Sequence, residues 1–121
     1  MSRLWIGLGA FSGFIAVGMA ALAAHGLDSI GPARLQMLRN AVQMQGWHAL
    51  ALIGCGLWAL RSGSTLADVA GAAFTLGTIF FCGAVYALSL GQAPVGFLAP
   101  FGGALLMIGW LLLCISAISG R

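Results

Sequence analysis

Hydrophobic residues in this chain fall into four long runs, separated by short stretches rich in polar residues, glycine or proline. The runs cover about residues 4–24, 46–60, 66–90 and 97–119. A helix needs roughly 20 apolar residues to cross the ~30 Å hydrocarbon core of a bilayer. The pattern therefore predicts four membrane-spanning helices. A signal peptide is the alternative for the first run, but its apolar core would be only about 7–15 residues long, so we expect a retained helix.

An amphipathic segment over residues 33–45 precedes the second run. Its polar residues recur at the spacing of one helical face and its apolar residues cover the other side; the polar ones are Gln36, Arg39, Asn40 and Gln43. Pro32 is typical of a first helical turn, and residues 27–31 are predicted to form the turn before it. Because residues 46–60 alone are short for a span, we expect one continuous helix over both segments.

The polar residues of the third run lie at spacings of three and four, which places them on one narrow helical face. They are Asp68, Thr75, Thr78, Cys82, Tyr86 and Ser89, together with Gly71. Lipid cannot satisfy hydrogen bonds, so this face should turn toward other helices or water. Two interpretations remain open for the seam of Thr75, Thr78 and Cys82: hydrogen bonds between helices, or the lining of a ligand or water cavity.

Glycines in the first and fourth runs indicate where two helices approach closely. Gly9 and Gly13 lie one turn apart, and Gly102 and Gly103 stand together early in the last run. Small residues let helix backbones come into contact in a bilayer. A dimer contact is the alternative, but we expect these glycines to pack within the chain's own bundle.

Four spans joined by short turns predict an all-α fold, an integral membrane up-down four-helix bundle in one domain over residues 1–121. The second helix carries the amphipathic segment as an N-terminal extension. Alternating direction places Arg3, Arg61 and Arg121 on one side of the membrane and Asp28, Arg34 and Arg39 on the other. By the positive-inside rule this favours cytoplasmic termini.

Composition excludes a water-soluble protein. The chain is 61% hydrophobic and only 6% charged, whereas soluble domains carry about a quarter of their residues as charged side chains. Its arginines are scattered at the ends of apolar runs and make no basic patch, which excludes nucleic acid as a partner. The three cysteines stand inside apolar runs without metal-ligand spacing.

The chain's two histidines, His25 and His48, end the first apolar run and begin the second. Counting about 1.5 Å per residue from the predicted membrane surface puts His48 about 3 Å deep, Tyr86 about 6 Å deep and His25 at the surface. The sequence therefore predicts a polar cluster at one membrane face, made of His25, Gln45, His48, Tyr86 and Ser89.

Three interpretations compete for this cluster. The residues could join the helix ends by hydrogen bonds, which we favour, or hold a metal, haem, quinone or lipid headgroup. Catalysis is the least favoured, because the cluster lacks a carboxylate, a nucleophile–base pair and a complete metal set. Transport is also disfavoured, because no ionisable group is predicted in the middle of the membrane.

Four motifs make the chain similar to the YgdD-like family of small four-helix bacterial inner-membrane proteins of unknown function. They are AHGL at residues 24–27, QGWHALAL at 45–52, CGAVYALSL at 82–90, and APFGG at 99–103 followed by GW at 109–110. The chain departs from the family pattern at Met44, Cys82 and Ala99, where many relatives carry tyrosine, serine and threonine. The resemblance implies the fold and an inner-membrane location, and it carries no activity.

The sequence thus predicts a non-enzymatic accessory or stabilising component of a membrane assembly, in a bacterial inner membrane. Its expected partners are membrane lipids and other membrane proteins or copies of itself, and no metal or other cofactor is assigned. The alternative is a small binding module that uses His25, His48 and Tyr86 for a lipid, quinone, haem or metal.

Overall fold

The computed structural model describes residues 1–26, 28–91 and 94–120. Of Asp28 it describes the backbone and not the side chain. It contains α1 (Ser2–His25), a short 3-10 turn (Asp28–Ile30), α2 (Pro32–Ser62), α3 (Thr65–Leu90) and α4 (Leu98–Ser119). The all-α prediction is confirmed. Leu27 in the first predicted turn, Gln92 and Ala93 between the last two spans, and Arg121 lie outside the described residues.

Local signals explain where the two central helices begin and end. Pro32 occupies the first turn of α2, and Gly63 ends that helix in the left-handed conformation at φ 65°, which glycine adopts without steric cost. The Ser64 hydroxyl then accepts a hydrogen bond from the Ala67 backbone N–H at 3.1 Å. It satisfies one of the unpaired donors at the start of α3.

Three of the four helices, α1, α3 and α4, are each long and apolar enough to cross a membrane. At 31 residues α2 is the longest helix, about 46 Å at the usual rise, but the polar residues of its first half lower its hydropathy. Its polar stripe from Gln36 to Gln43 is exposed, whereas Leu38 and Ala41 on the opposite face are fully buried. This first half lies alongside the second half of α1, where Arg39, Val42 and Gln43 adjoin Ala20, Ala23 and Ala24.

Helices that follow one another in the chain pack on one another: α1 on α2, α2 on α3, and α3 on α4. The arrangement therefore has α2 and α3 in the centre and α1 and α4 on opposite flanks. The backbones of α1 and α3 barely touch. A core of large side chains, which includes Trp5, Leu52, Phe74 and Leu106, fills the space between the helices.

Glycine makes the closest helix contacts. A Cβ at Gly9 would lie 2.7 Å from the Ala49 carbonyl oxygen, and one at Gly56 would lie 2.6 Å from the Ser2 carbonyl oxygen. Gly102 of α4 lies directly against the backbone of Phe81. At Gly13 and Gly103 an added Cβ would make only ordinary contacts, at 3.8 and 3.9 Å.

We predict that Gly9→Leu destabilises the protein by about 1–3 kcal/mol or more, the usual range for forcing extra atoms into a packed interface. The clash is with backbone, which cannot rotate away. Gly7→Leu is the matched control, because Gly7 is exposed on the same helix and an added Cβ meets nothing within 4 Å. Thermal unfolding of the purified variants in one detergent measures the difference. Equal melting temperatures for the two variants would contradict the proposed α1–α2 contact.

Candidate functional site

His48 lies in the middle of the bundle with both ring nitrogens engaged. Its Nε2 accepts a hydrogen bond from the Trp110 indole N–H at 2.9 Å, and its Nδ1 lies 2.6 Å from the Met44 carbonyl oxygen. Because an indole nitrogen can only donate, Nε2 carries no proton and Nδ1 carries the one that goes to Met44. The ring is therefore the neutral Nδ1–H tautomer, and neither nitrogen has a lone pair left for a metal ion.

Aromatic rings enclose this histidine. The His48 ring centroid lies 5.7 Å from those of Phe74 and Trp110, and the two aromatic rings meet edge-on at 5.1 Å. Only 3% of the His48 surface is exposed. The sequence prediction did not include Phe74 and Trp110 as partners of this residue, because they come from α3 and α4 and share no sequence motif with it.

His25 is not part of this group. It is exposed at the end of α1, whereas the turn that carries His48 packs near Gly13, where an added Cβ would lie 3.8 Å from the Ala49 Cβ. The 12 residues from Gly13 to His25 correspond to about 18 Å along the helix. The predicted pairing of the two histidines at one membrane face is therefore wrong. The depth count started at residue 46, whereas α2 already lies beside α1 well before that residue.

Gln45 and Tyr86 do meet. The Tyr86 hydroxyl donates to Gln45 Oε1 at 2.6 Å, and Gln45 Nε2 donates to the Ser12 hydroxyl oxygen at 3.1 Å. This relay connects α3, α2 and α1, and Ser12 was not predicted to take part. Ser89, the remaining member of the predicted cluster, is fully buried and donates to the Val85 carbonyl oxygen of its own helix at 2.7 Å.

Two further tryptophans connect helices at the opposite end of the bundle. The Trp5 indole donates to Asp68 Oδ1 at 2.8 Å, from α1 to the first turn of α3. The Trp58 indole donates to the Ser116 hydroxyl oxygen at 2.8 Å, and Ser116 lies 2.6 Å from the Ser64 hydroxyl. The tryptophans themselves were a signal for these bonds, because a buried indole N–H requires an acceptor. The sequence did not show which residues accept, because the acceptors are 58 and 63 residues away along the chain.

A groove of about 420 Å³ lies between α1 and α3, with α2 as its floor. We call it the α1–α3 groove, and it is lined by Leu8, Phe11, Ser12, Ile15, Gln45, Leu52, Thr75, Thr78, Ile79, Cys82, Gly83 and Tyr86. Its volume is within the roughly 300–1,000 Å³ of small-molecule pockets. The whole predicted seam of Thr75, Thr78 and Cys82 lies along its wall.

The three seam residues differ in their hydrogen bonds. Thr75 donates to the Gly71 carbonyl oxygen at 2.8 Å, and the Cys82 thiol lies 3.6 Å from the Ala41 carbonyl oxygen. The Thr78 hydroxyl is buried and has no hydrogen-bond partner among the described residues. Within those residues, no three histidine, cysteine or acidic side chains converge as a metal-binding group.

Comparison with known proteins agrees with this membrane architecture. A family model described as "Protein of unknown function (DUF423)" matches residues 19–103. A UPF0382 membrane protein of Staphylococcus aureus is 41% identical over 94% of both chains. The UPF0382 inner membrane protein YgdD of Escherichia coli is 31% identical over 97% of this chain and 91% of its own.

UPF0382 membrane protein YwdK of Bacillus subtilis is 34% identical over 96% of this chain and 97% of its own. No solved structure matches the chain. Both the family model and the full-length similarity to these relatives establish that the chain is a membrane protein of the DUF423 family, the UPF0382 membrane proteins.

Proposed function

We propose that this protein acts without catalysis, as an accessory or stabilising component of a membrane assembly. The observation that carries the proposal is that the histidine, the acid and the glutamine inside the bundle are each hydrogen-bonded to a side chain of another helix. His48 is held by Trp110, Asp68 by Trp5, and Gln45 by Tyr86. Groups committed in this way hold helices in fixed positions, whereas a catalytic site needs a base or nucleophile that faces a substrate.

The short connections support a role within the membrane. Only Gly63 and Ser64 separate α2 from α3, so contacts with another protein would involve mainly the lipid-facing surfaces of the helices. These surfaces carry large apolar side chains on both flanks, with Phe14 of α1 75% exposed and Met107 of α4 74% exposed.

A location in the bacterial inner membrane with both termini in the cytoplasm is part of the same proposal. The E. coli relative YgdD is named an inner membrane protein, which supports the location. Arg3 and Arg61 lie at the helix ends on the side of the termini, and Arg34 and Arg39 lie toward the other side. Arg121 adds a third arginine to the side of the termini, against two on the other side. By the positive-inside rule this excess favours cytoplasmic termini.

Photo-crosslinking tests the assembly role. A crosslinking amino acid placed at Phe14 or Met107 in living cells should yield a discrete adduct from at least one flank, and the same substitution at fully buried Phe74 is the control. Deleting the protein should lower the thermal stability of the crosslinked partner, and returning it should restore that stability. Lipid adducts alone at both flanks, or a partner unaffected by the deletion, would contradict an accessory role.

A double-mutant cycle tests the structural role of His48. We expect His48→Ala to cost about 1–3 kcal/mol, because it removes the acceptor of the Trp110 N–H and a side chain that is 97% buried. Combined with Trp110→Phe it should show a coupling of about 0.6 kcal/mol, the average for hydrogen bonds between membrane helices, and no more than about 1.7 kcal/mol. His25→Ala, at an exposed helix end, should leave the melting temperature unchanged. Metal analysis and absorbance spectra of the purified variants complete the test. A stoichiometric metal or chromophore that the two alanine variants lose would overturn the proposal.

Reporter fusions test the orientation. Alkaline phosphatase should be inactive when fused at either terminus and active when fused within the loop between α1 and α2, because phosphatase folds only outside the cytoplasm. A green fluorescent protein should show the reverse pattern. Active phosphatase at the termini would mean that the proposed orientation is inverted.

A further inference from the structure

The α1–α3 groove is a space that the protein's own side chains do not fill. Next to one end of it, the Trp5 indole lies against Gly71, where an added Cβ would come within 2.5 Å of the ring, and donates to Asp68. The lining of the groove begins beyond this ring, at Leu8 on α1 and at Thr75 on α3. At the other end, the relay from Tyr86 through Gln45 to Ser12 crosses the groove.

The groove opens sideways toward lipid. Phe11 and Ile79 on its lining are 61% and 58% exposed, and Gly83 is exposed as well. Its lining on α1 runs from Leu8 to Ile15, about 9 to 20 Å from the start of that helix at the usual rise. A molecule entering at this depth comes from the hydrocarbon layer, so its bulk must be apolar.

Hydrogen-bond donors are left over inside the groove. Ser12 accepts the amide hydrogen of Gln45, so its own hydroxyl hydrogen is available to another acceptor. Thr78 is 92% buried on the groove wall, and its hydroxyl has no partner among the described residues. Each side chain that lines the groove is uncharged. Unpaired donors in an uncharged, apolar setting complement a neutral acceptor and disfavour a carboxylate, whose charge would lose its hydration.

We propose that the α1–α3 groove binds an uncharged membrane lipophile that bears a carbonyl group. The carbonyl oxygen accepts from the Ser12 and Thr78 hydroxyls, and the hydrocarbon part lies against Leu8, Ile15 and Ile79. Isoprenoid quinones and neutral acyl esters share this chemistry. The site is separate from His48, whose ring nitrogens are both occupied, and it does not depend on the accessory role proposed above.

Thermal unfolding with added probes tests the binding, because a ligand that binds the folded state raises its melting temperature. Decylubiquinone represents the quinones, methyl palmitate the neutral esters, and the palmitate anion is the charged control. We expect one neutral probe to raise the melting temperature of the protein in detergent, which identifies the source, and the anion to have no effect. No shift with either neutral probe would overturn the proposal.

Two glycines provide a matched pair of variants for locating the site. An added Cβ meets nothing within 4 Å at Gly83 on the groove and at Gly54 away from it, both exposed. Gly83→Phe should fill the groove and weaken binding of the active probe at least tenfold, whereas Gly54→Phe should bind as the unmodified protein does. Equal binding by the two variants would overturn the location. Release of a co-purifying protein by Gly83→Phe alone, with probe binding unchanged, would mean that a partner helix occupies the groove instead.

Thr78→Val separates the role of this hydroxyl from a general effect on folding. Valine has the same shape without the unpaired polar group, so the ligand-free variant should be as stable as the original or more stable. Its affinity for the active probe should fall about three- to tenfold, the usual effect of losing one hydrogen bond. Unchanged affinity, or a loss of stability in the absence of probe, would contradict the proposed contact.

Discussion

Inside a bilayer a polar group has no water to bond, so its partner must come from the protein. In this fold, hydrogen bonds that meet this requirement connect the flanking helices α1 and α4 to the central helices. Glycine contacts such as Gly9 against Ala49 pack helices that are neighbours in sequence. The indole bond from Trp5 to Asp68 connects α1 with α3, and that from Trp110 to His48 connects α4 with α2. Each joins two helices whose backbones barely pack on one another. Close packing thus forms the α1–α2 and α3–α4 hairpins and joins them through α2 and α3, and the hydrogen bonds connect the helices that packing leaves apart.

The same requirement governs what the interior can do. His48 is buried inside the bundle and would be a strong candidate for metal or haem binding if a ring nitrogen were available. The indole N–H of Trp110 and the carbonyl of Met44 occupy both nitrogens. Thr78 is the contrasting case, because its hydroxyl is buried on the wall of the α1–α3 groove without a partner among the described residues. In the proposed function the histidine contributes structure, and in the proposed groove site the Thr78 hydroxyl is the donor that a ligand would pair.

The family resemblance includes the residues that connect α2 to the other helices. Relatives in Staphylococcus aureus and Escherichia coli are 41% and 31% identical over nearly the whole chain, and the family is described as one of unknown function. The motif around residues 45–52, on which the resemblance rests, contains both Gln45 and His48. In the structure these two residues serve different connections, one toward α1 and α3 and the other toward α4. A single motif therefore holds three other helices in place around α2.

The sequence by itself determined the helices, because apolar run length and turn chemistry act locally: Pro32 begins α2, and Gly63 ends it. It also determined that Tyr86 and Gln45 would be neighbours, since antiparallel spans bring those levels together. Only the tertiary structure decided the partner of His48. Depth counted from a predicted surface placed it beside His25, but the register of α2 against α1 follows from side-chain packing along the whole interface. No local pattern encodes that register, and the α1–α3 groove likewise exists only where side chains of α1, α2 and α3 come together.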